Sequence, residues 1–141
     1  MPFFRQRETG FRVAMAEAGL EVHHACFAEG YIDPESSRRV ARLAAAGEMT
    51  AVACANDQMA LELWTEAEAL GLRIPDDLSI VGIDNRPEAA ERGLTSFRIA
   101  IEAMGRATVD AAVAALGGAE PWRRLETYEM VCRASVAAPR G

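Results

Sequence analysis

Segments with helical periodicity alternate with short apolar runs along most of this chain. Apolar side chains recur every three or four residues in four segments, and this spacing predicts helices at 5–18, 34–47, 57–70 and 101–116. Shorter apolar or alternating runs predict strands at 20–27, 50–55, 78–84, 95–99 and 126–135. Helix and strand follow one another in turn, which is typical of an α/β protein with a doubly wound parallel sheet.

Residues 85–93 interrupt this alternation with a polar segment that contains Pro87 and Gly93. Proline and glycine are common in turns, so we predict a loop or hinge here and not another crossover helix. The strand that follows, at 95–99, is short, and the last strand, at 126–135, is predicted to lie at an edge of the sheet.

Polar side chains follow two of the predicted strands at the point where each ends. Asn56 and Asp57 come after the run at 50–55, and Asp84 with Asn85 ends the run at 78–84. Ligands of open parallel sheets bind just outside the carboxyl ends of the strands. Asn56 and Asp84 are therefore expected on one edge, facing a bound molecule.

Each of these two residues also has a purely structural interpretation. The Asp84 carboxylate can accept hydrogen bonds from two adjacent hydroxyl groups, or it can bond its own backbone in a turn. The Asn56 amide can bind a polyol or a heterocycle, or it can cap the next helix. Because Asp57 is also a good capping residue, it leaves Asn56 available for a ligand.

Two further residues are candidates for the same edge. Arg7 lies in the first turns of the opening helix, where its planar guanidinium can clamp a carboxylate, a phosphate or sugar oxygens, although a solvated surface arginine is the commoner case. Tyr31 lies in the loop after the run at 20–27 and offers a ring that can stack on a sugar or a base, although simple packing is the commoner role.

Composition excludes several other classes of protein. The chain has 141 residues and a net charge of -6, with its arginines scattered, so we do not expect these residues to bind DNA by themselves. No apolar run is long enough to cross a membrane or to serve as an export signal, and a cytoplasmic location is predicted. His23 and His24 point to opposite faces of a strand, and no metal site or cofactor is expected.

The cysteines and the catalytic motifs point in the same direction. Three cysteines at wide spacing, each within an apolar run, are typical of small hydrophobic residues in a reducing compartment. The chain has no G-x-S-x-G elbow, no P-loop and no G-x-G-x-x-G turn after a strand. A binding protein is therefore predicted and not an enzyme.

A set of short motifs resembles the C-terminal part of the sensor domain of LacI/GalR-type transcriptional regulators. The motifs appear in the same order along nearly the whole chain. They are Arg7-x-x-Gly10-Phe11, Pro34-Glu35-Ser36, Thr50-Ala51-Val52, Asn56 to Ala60, Gly71 to Asn85, Leu94-Thr95-Ser96, Met104-Gly105 with Ala107, and Val131 to Ser135.

The resemblance implies a two-lobed fold of the periplasmic-binding-protein-like type I class, of which this chain holds an incomplete part. Residues 1–94 and 124–141 are expected to form the C-terminal lobe, and 95–123 to return to the N-terminal lobe, most of which is absent from the chain. A small-molecule effector is expected in the cleft between the lobes. The implied contacts are Arg7, Asn56 and Asp84, with Tyr31 near the place of an aromatic that often stacks on the effector.

The function implied by the resemblance is effector sensing, with a sugar as the expected effector, for a regulator that binds DNA through a domain absent from this chain. Dimerisation is expected through the helix that carries Trp64 and the loop after Asp84. Two alternatives remain open from the sequence, namely a solute-binding protein of a sugar transporter and a truncated fragment without a function of its own. Pentoses, hexoses and purines all suit an edge with arginine, asparagine and aspartate.

Overall fold

The computed structural model describes residues 2–22, 34–118 and 128–138. The helices in these ranges are α1 (Pro2–Glu17), α2 (Pro34–Ala45), α3 (Asp57–Ala69), α4 (Pro87–Arg92) and α5 (Ile101–Leu116). The strands are β1 (Ala51–Ala53), β2 (Ser79–Ile83), β3 (Thr95–Arg98) and β4 (Glu129–Val131). The four helices predicted from periodicity are all present.

The described strands form one sheet in the order β1-β2-β3-β4. β1, β2 and β3 are parallel, and β4 pairs with β3 in the antiparallel direction. The predicted α/β class with a largely parallel sheet is therefore confirmed, with β4 at an edge. Because β1 and β2 are parallel neighbours, the residues that follow them meet at the same edge of the sheet.

The core lies where α3 packs on β2 and α2 packs against α3. Alanines on the facing sides of α2 and α3 let the two helices approach closely, while Leu78, Ile80 and Leu94 are completely buried beneath them. The remaining buried apolar residues are Val40, Ala41, Ala44, Cys54, Ala60, Leu63, Trp64, Ala67 and Ala89. This one cluster supports the strand ends that carry the candidate site.

The segment after Asp84 differs from the prediction of a loop or hinge. Pro87–Arg92 forms the short helix α4, with Pro87 in its first turn and Gly93 as its C-cap at a φ of 79°. Proline at the start and glycine at the end are signals that delimit a helix, so these residues bracket α4 where they were expected to prevent it. Arg92 holds α4 against α3, since its guanidinium lies 5.2 Å from the centre of the Trp64 ring and pairs with Glu68.

Three predictions about the strands also need correction. Thr95–Arg98, expected to begin the return to the other lobe, forms β3 in the same sheet and pairs with β2. Among the described residues of the last predicted strand, only Glu129–Val131 form β4. Beyond it, Ser135 joins the sheet through two hydrogen bonds with Ile80 and one with Thr95. Residues 20–22 form no strand, and the rest of the strand predicted at 20–27 lies outside the described residues.

The two 16-residue helices α1 and α5 have few contacts with this core. No residue of α5 is buried, and Ile101, Val109, Val113 and Leu116 are all exposed. Such an apolar surface agrees with the expectation that this helix packs on another part of a larger protein, which stays a prediction. α1 reaches the sheet through Arg7.

Candidate functional site

The turn after β2 has an unusual backbone. Asp84 has a φ of 115° and Asn85 a φ of 53°, a region that side-chain-bearing residues rarely adopt. Each such residue costs about 1–3 kcal/mol and persists only where its surroundings hold it in place. Here the Asp84 N–H donates to Phe97 O at 2.9 Å, and the Asn85 N–H donates to Ser96 Oγ at 3.0 Å. Neighbouring β3 therefore holds this turn.

Asn56 follows β1 and serves as the N-cap of α3. Its Oδ1 accepts a hydrogen bond from the Met59 N–H at 2.9 Å, which satisfies one of the free donors in the first turn of the helix. The expectation that Asp57 would take over the capping, and so free Asn56, is wrong. The Asn56 side chain is half-buried, and its Nδ2 group donates no hydrogen bond within the described part of the chain.

Asp57 points inward and is completely buried. Its Oδ2 accepts a hydrogen bond from the Arg86 N–H at 2.7 Å, and its Oδ1 accepts one from the Ser96 hydroxyl at 2.5 Å. A side chain at Gly82 would overlap with Asp57 Oδ1, so only glycine leaves room for the carboxylate. Asp57 thus ties the start of α3 to both sides of the turn after β2.

Arg7 reaches from α1 to the end of β1. Its Nη1 donates a hydrogen bond to Ala55 O at 2.6 Å, across 48 residues of sequence. Because Ala55 directly precedes Asn56, this contact brings the guanidinium to the edge where the candidate residues lie. The Arg7 side chain is half-buried there.

Asp84 is also close enough to Arg7 for the two charges to interact. Burial raises the pKa of the Asp84 carboxyl above its ordinary value, and the negative charge of Asp57 raises it further, while Arg7 and Arg86 lower it. The structure therefore brings Arg7, Asn56 and Asp84 to one edge of the sheet. Tyr31, the fourth candidate, lies outside the described residues.

A second set of contacts, which the sequence did not single out, supports the same turn. Arg133 Nη2 donates to Asn85 Oδ1 at 2.6 Å, and its Nη1 donates to Leu94 O at 2.6 Å. Ser135, completely buried, donates to Ile80 O and accepts from the Thr95 N–H. The pattern Arg133-x-Ser135 was visible as a motif, but its partners are distant in sequence.

Other features of the surface lie apart from this edge. A groove of about 780 Å³ runs between α3 and α4, and its lining includes Leu61, Thr65 and Glu88 but none of Arg7, Asn56 and Asp84. Within residues 2–22, 34–118 and 128–138, no group of three His, Cys, Asp or Glu side chains could hold a metal ion. No helix in these ranges is long and apolar enough to cross a membrane.

Comparison with known families identifies the class of this protein. Residues 2–136 match the model of the periplasmic binding protein-like domain. The chain belongs to this family, in the form found as the effector-binding domain of LacI/GalR-type transcriptional regulators.

The relatives are transcriptional regulators. The HTH-type transcriptional repressor PurR of Photobacterium profundum is 41% identical over 83 residues, which are 57% of this chain and 25% of the repressor. PurR of Vibrio parahaemolyticus matches with the same identity and shares. The matching region thus spans about a quarter of the length of these relatives.

Solved structures of the same family resemble nearly the whole chain. The transcriptional regulator CelR in its cellobiose complex has a TM-score of 0.79 at 30% identity, over 92% of this chain and 41% of CelR. A dimeric Lac repressor with an 11-residue C-terminal deletion has a TM-score of 0.82 at 26% identity, over 96% of this chain and 51% of the repressor. The confirmed fold is therefore part of the sensor fold of these regulators.

Proposed function

We propose that this chain is an effector-sensing module of a LacI-type regulator, and that Arg7, Asn56 and Asp84 contact the effector. The observation that carries this proposal is the convergence of the three side chains on one edge of the sheet, with Arg7 bonded to Ala55 and in electrostatic reach of Asp84. Together they offer a guanidinium fork, an amide donor and a carboxylate. Binding, and not catalysis, is the proposed role, in the cytoplasm.

The effector class we propose is a sugar. Adjacent hydroxyl groups match the paired oxygens of the Asp84 carboxylate, and the Arg7 guanidinium can donate to the ring or glycosidic oxygens. Two similar structures hold a small molecule, CelR with cellobiose and the Lac repressor with ONPG, and cellobiose is a disaccharide. Tyr31 is proposed as a stacking residue on the basis of the sequence alone.

Effector binding can regulate only if it distinguishes two states of the protein. In the proposed mechanism the effector bridges this edge and the facing lobe of a longer protein, and its higher affinity for the closed cleft shifts the population toward that state. We propose that residues 1–94 and 124–141 belong to the C-terminal lobe, together with β3, and that the rest of 95–123 belongs to the N-terminal lobe.

The test is a ligand screen followed by matched variants. Mono- and disaccharides and purine bases are screened by thermal shift, because a bound ligand raises the melting temperature of the folded state. Calorimetry with the best ligand then compares Asp84→Ala and Arg7→Ala with the control Arg98→Ala, whose exposed guanidinium pairs with Glu129. We expect binding to be lost in the first two variants and kept in the control. Unchanged affinity in either variant would contradict its assignment.

We also propose a homodimer that uses α3 and the segment after Asp84. The groove between α3 and α4 exposes part of Leu61 among charged side chains, and one of the similar Lac repressor structures is a dimer. Sedimentation of the wild type and of Leu61→Arg tests this proposal. We expect a dimer for the wild type and a monomer for the variant, while a monomeric wild type would refute it.

A further inference from the structure

Asp57 is completely buried beside the candidate site, and both of its side-chain hydrogen bonds are made with residues around the turn that carries Asp84. Its two oxygens accept from the Arg86 N–H, which follows the turn, and from Ser96, which lies beside it. We propose that Asp57 is a positioning residue that holds the Asp84 carboxylate in the orientation for effector contact. This inference rests on the proposed function and extends it to a residue that contacts no effector.

The hydrogen bonds form a relay from Asp57 to the strained backbone. The Ser96 hydroxyl donates its hydrogen to Asp57 Oδ1, and this directs a lone pair of Ser96 Oγ toward the Asn85 N–H. Asp57 therefore acts on Asn85 through Ser96 and on Arg86 directly. Two residues that follow Asp84 are restrained in this way, which explains how a φ of 115° is maintained at this position.

The packing around Asp57 restricts the orientation of its side chain. The carboxylate is completely buried, and Gly82 on β2 lies so close that a methyl group there would overlap with it. Burying a carboxylate lowers the stability of the fold unless the carboxylate accepts hydrogen bonds. The charge of Asp57 therefore depends on the Arg86 N–H and the Ser96 hydroxyl as donors. The result is one set of contacts that joins α3, β2, β3 and the turn.

The charge of Asp57 also acts on Asp84 through space, so the pKa of Asp84 reports whether the two carboxylates are held close together, independently of the stability of the whole fold. The charged groups that act on the Asp84 carboxyl are Asp57 on α3, Arg7 on α1 and Arg86 after the turn, and Asp57 alone among them raises its pKa. Removing the charge of Asp57 while Asp84 stays in place must therefore lower the pKa of Asp84.

Two variants of the whole 141-residue chain test the proposal, both followed by NMR. In Asp57→Asn, titration of the Asp84 side-chain carboxyl is expected to give a lower pKa than in the wild type. In Ser96→Ala, exchange of the Asn85 amide hydrogen is expected to be about tenfold faster, which corresponds to the loss of one hydrogen bond. The control Asp110→Asn removes an equal charge from exposed α5 and should change neither quantity.

An unchanged pKa of Asp84 in folded Asp57→Asn overturns the proposal, as does wild-type exchange of the Asn85 amide in Ser96→Ala. If Asp57→Asn does not fold, the exchange rate in Ser96→Ala decides alone. Neither readout uses an effector, so failure here is distinct from failure of the ligand screen. Where the screen yields a ligand, both variants are expected to bind it about tenfold more weakly, because one restraining hydrogen bond is lost.

Discussion

Arg133 and Asn85 lie 48 residues apart in sequence and are joined by a 2.6 Å hydrogen bond from Nη2 to Oδ1. The same guanidinium donates to Leu94 O through Nη1. One arginine from the segment after β4 thus connects the turn after β2 with the start of β3. Asn85 has a φ of 53°, in the left-handed region that asparagine visits more readily than most residues, and this contact helps to hold it there.

We expect Arg133→Ala to lower the free energy of unfolding by about 2 kcal/mol, because it removes two charge-assisted hydrogen bonds from a half-buried position. Urea denaturation followed by circular dichroism measures this difference. Arg98→Ala is the matched control, since it breaks only the exposed pair with Glu129 and should cost less than about 0.5 kcal/mol. Equal losses in the two variants would show that Arg133 does not support the turn.

Gly82→Ala should destabilise the fold by about 3 kcal/mol, at the upper end for an overpacked interior, because the new methyl group overlaps with Asp57 Oδ1 and crowds Leu94 Cδ2. Thermal or urea denaturation provides the measurement. Gly105→Ala serves as the comparison, since a methyl group there meets no atom within 4 Å and alanine favours the helix. A Gly82→Ala protein as stable as the wild type would mean that the carboxylate can move away.

The pH dependence of stability should reveal the raised pKa of Asp84. A carboxyl group whose pKa is higher in the folded than in the unfolded state binds more protons when folded, so its contribution to stability falls as the pH rises through that range. Asp84→Asn removes the titrating carboxyl and with it this loss of stability at higher pH. We expect the variant to melt at a higher temperature than the wild type at pH 7.

The difference should disappear below the ordinary aspartate value of 3.8, where the carboxyl is protonated in both states. Melting curves at pH 7 and below that value compare the two proteins. The prediction fails if Asp84→Asn is the less stable protein at neutral pH. A higher melting temperature for Asp84→Asn at pH 7 would indicate that the charge at this edge lowers the stability of the fold.

Cys54 and Cys132 should differ sharply in reactivity. Burial, assisted by the negative charge of Asp57, raises the pKa of the Cys54 thiol to about 12, whereas Cys132 is exposed. Because the thiolate is the reactive form, an alkylating reagent at pH 8 should modify Cys132 within minutes and leave Cys54 unmodified until the protein is unfolded. Mass spectrometry of the digested protein distinguishes the two, and rapid labelling of native Cys54 would contradict its place in the core.

The order of elements was predictable because it depends on local periodicity. Apolar spacing located the helix at 101–116 at both of its ends, and Asn56 with Gly71 marked the ends of α3. The same local signals misled at Pro87 and Gly93, since they are compatible both with a loop and with the two ends of a helix. Only packing against Trp64 and Glu68 decides in favour of α4.

The candidate edge was predictable from strand ends, but the network behind it was not. Asn56 and Asp57 are equally good caps in sequence, and the choice between them depends on Gly82 and Ser96, which lie far along the chain. Cys132 resembled a buried small residue because apolar neighbours precede it in sequence, yet it lies beyond the edge strand and is exposed. Contacts between distant segments decided each of these cases.

Gly82 sets the spacing between two layers of the fold at the place where the candidate edge is built. Because Gly82 has only a hydrogen as its side chain, β2 can lie against the first turn of α3 with the Asp57 carboxylate alone between them. Positions 57 and 82 therefore share one fixed volume, so a larger residue at one requires a smaller residue at the other. A pair of exchanges that preserved this volume but replaced the carboxylate would keep the layers together and release the turn that presents Asp84.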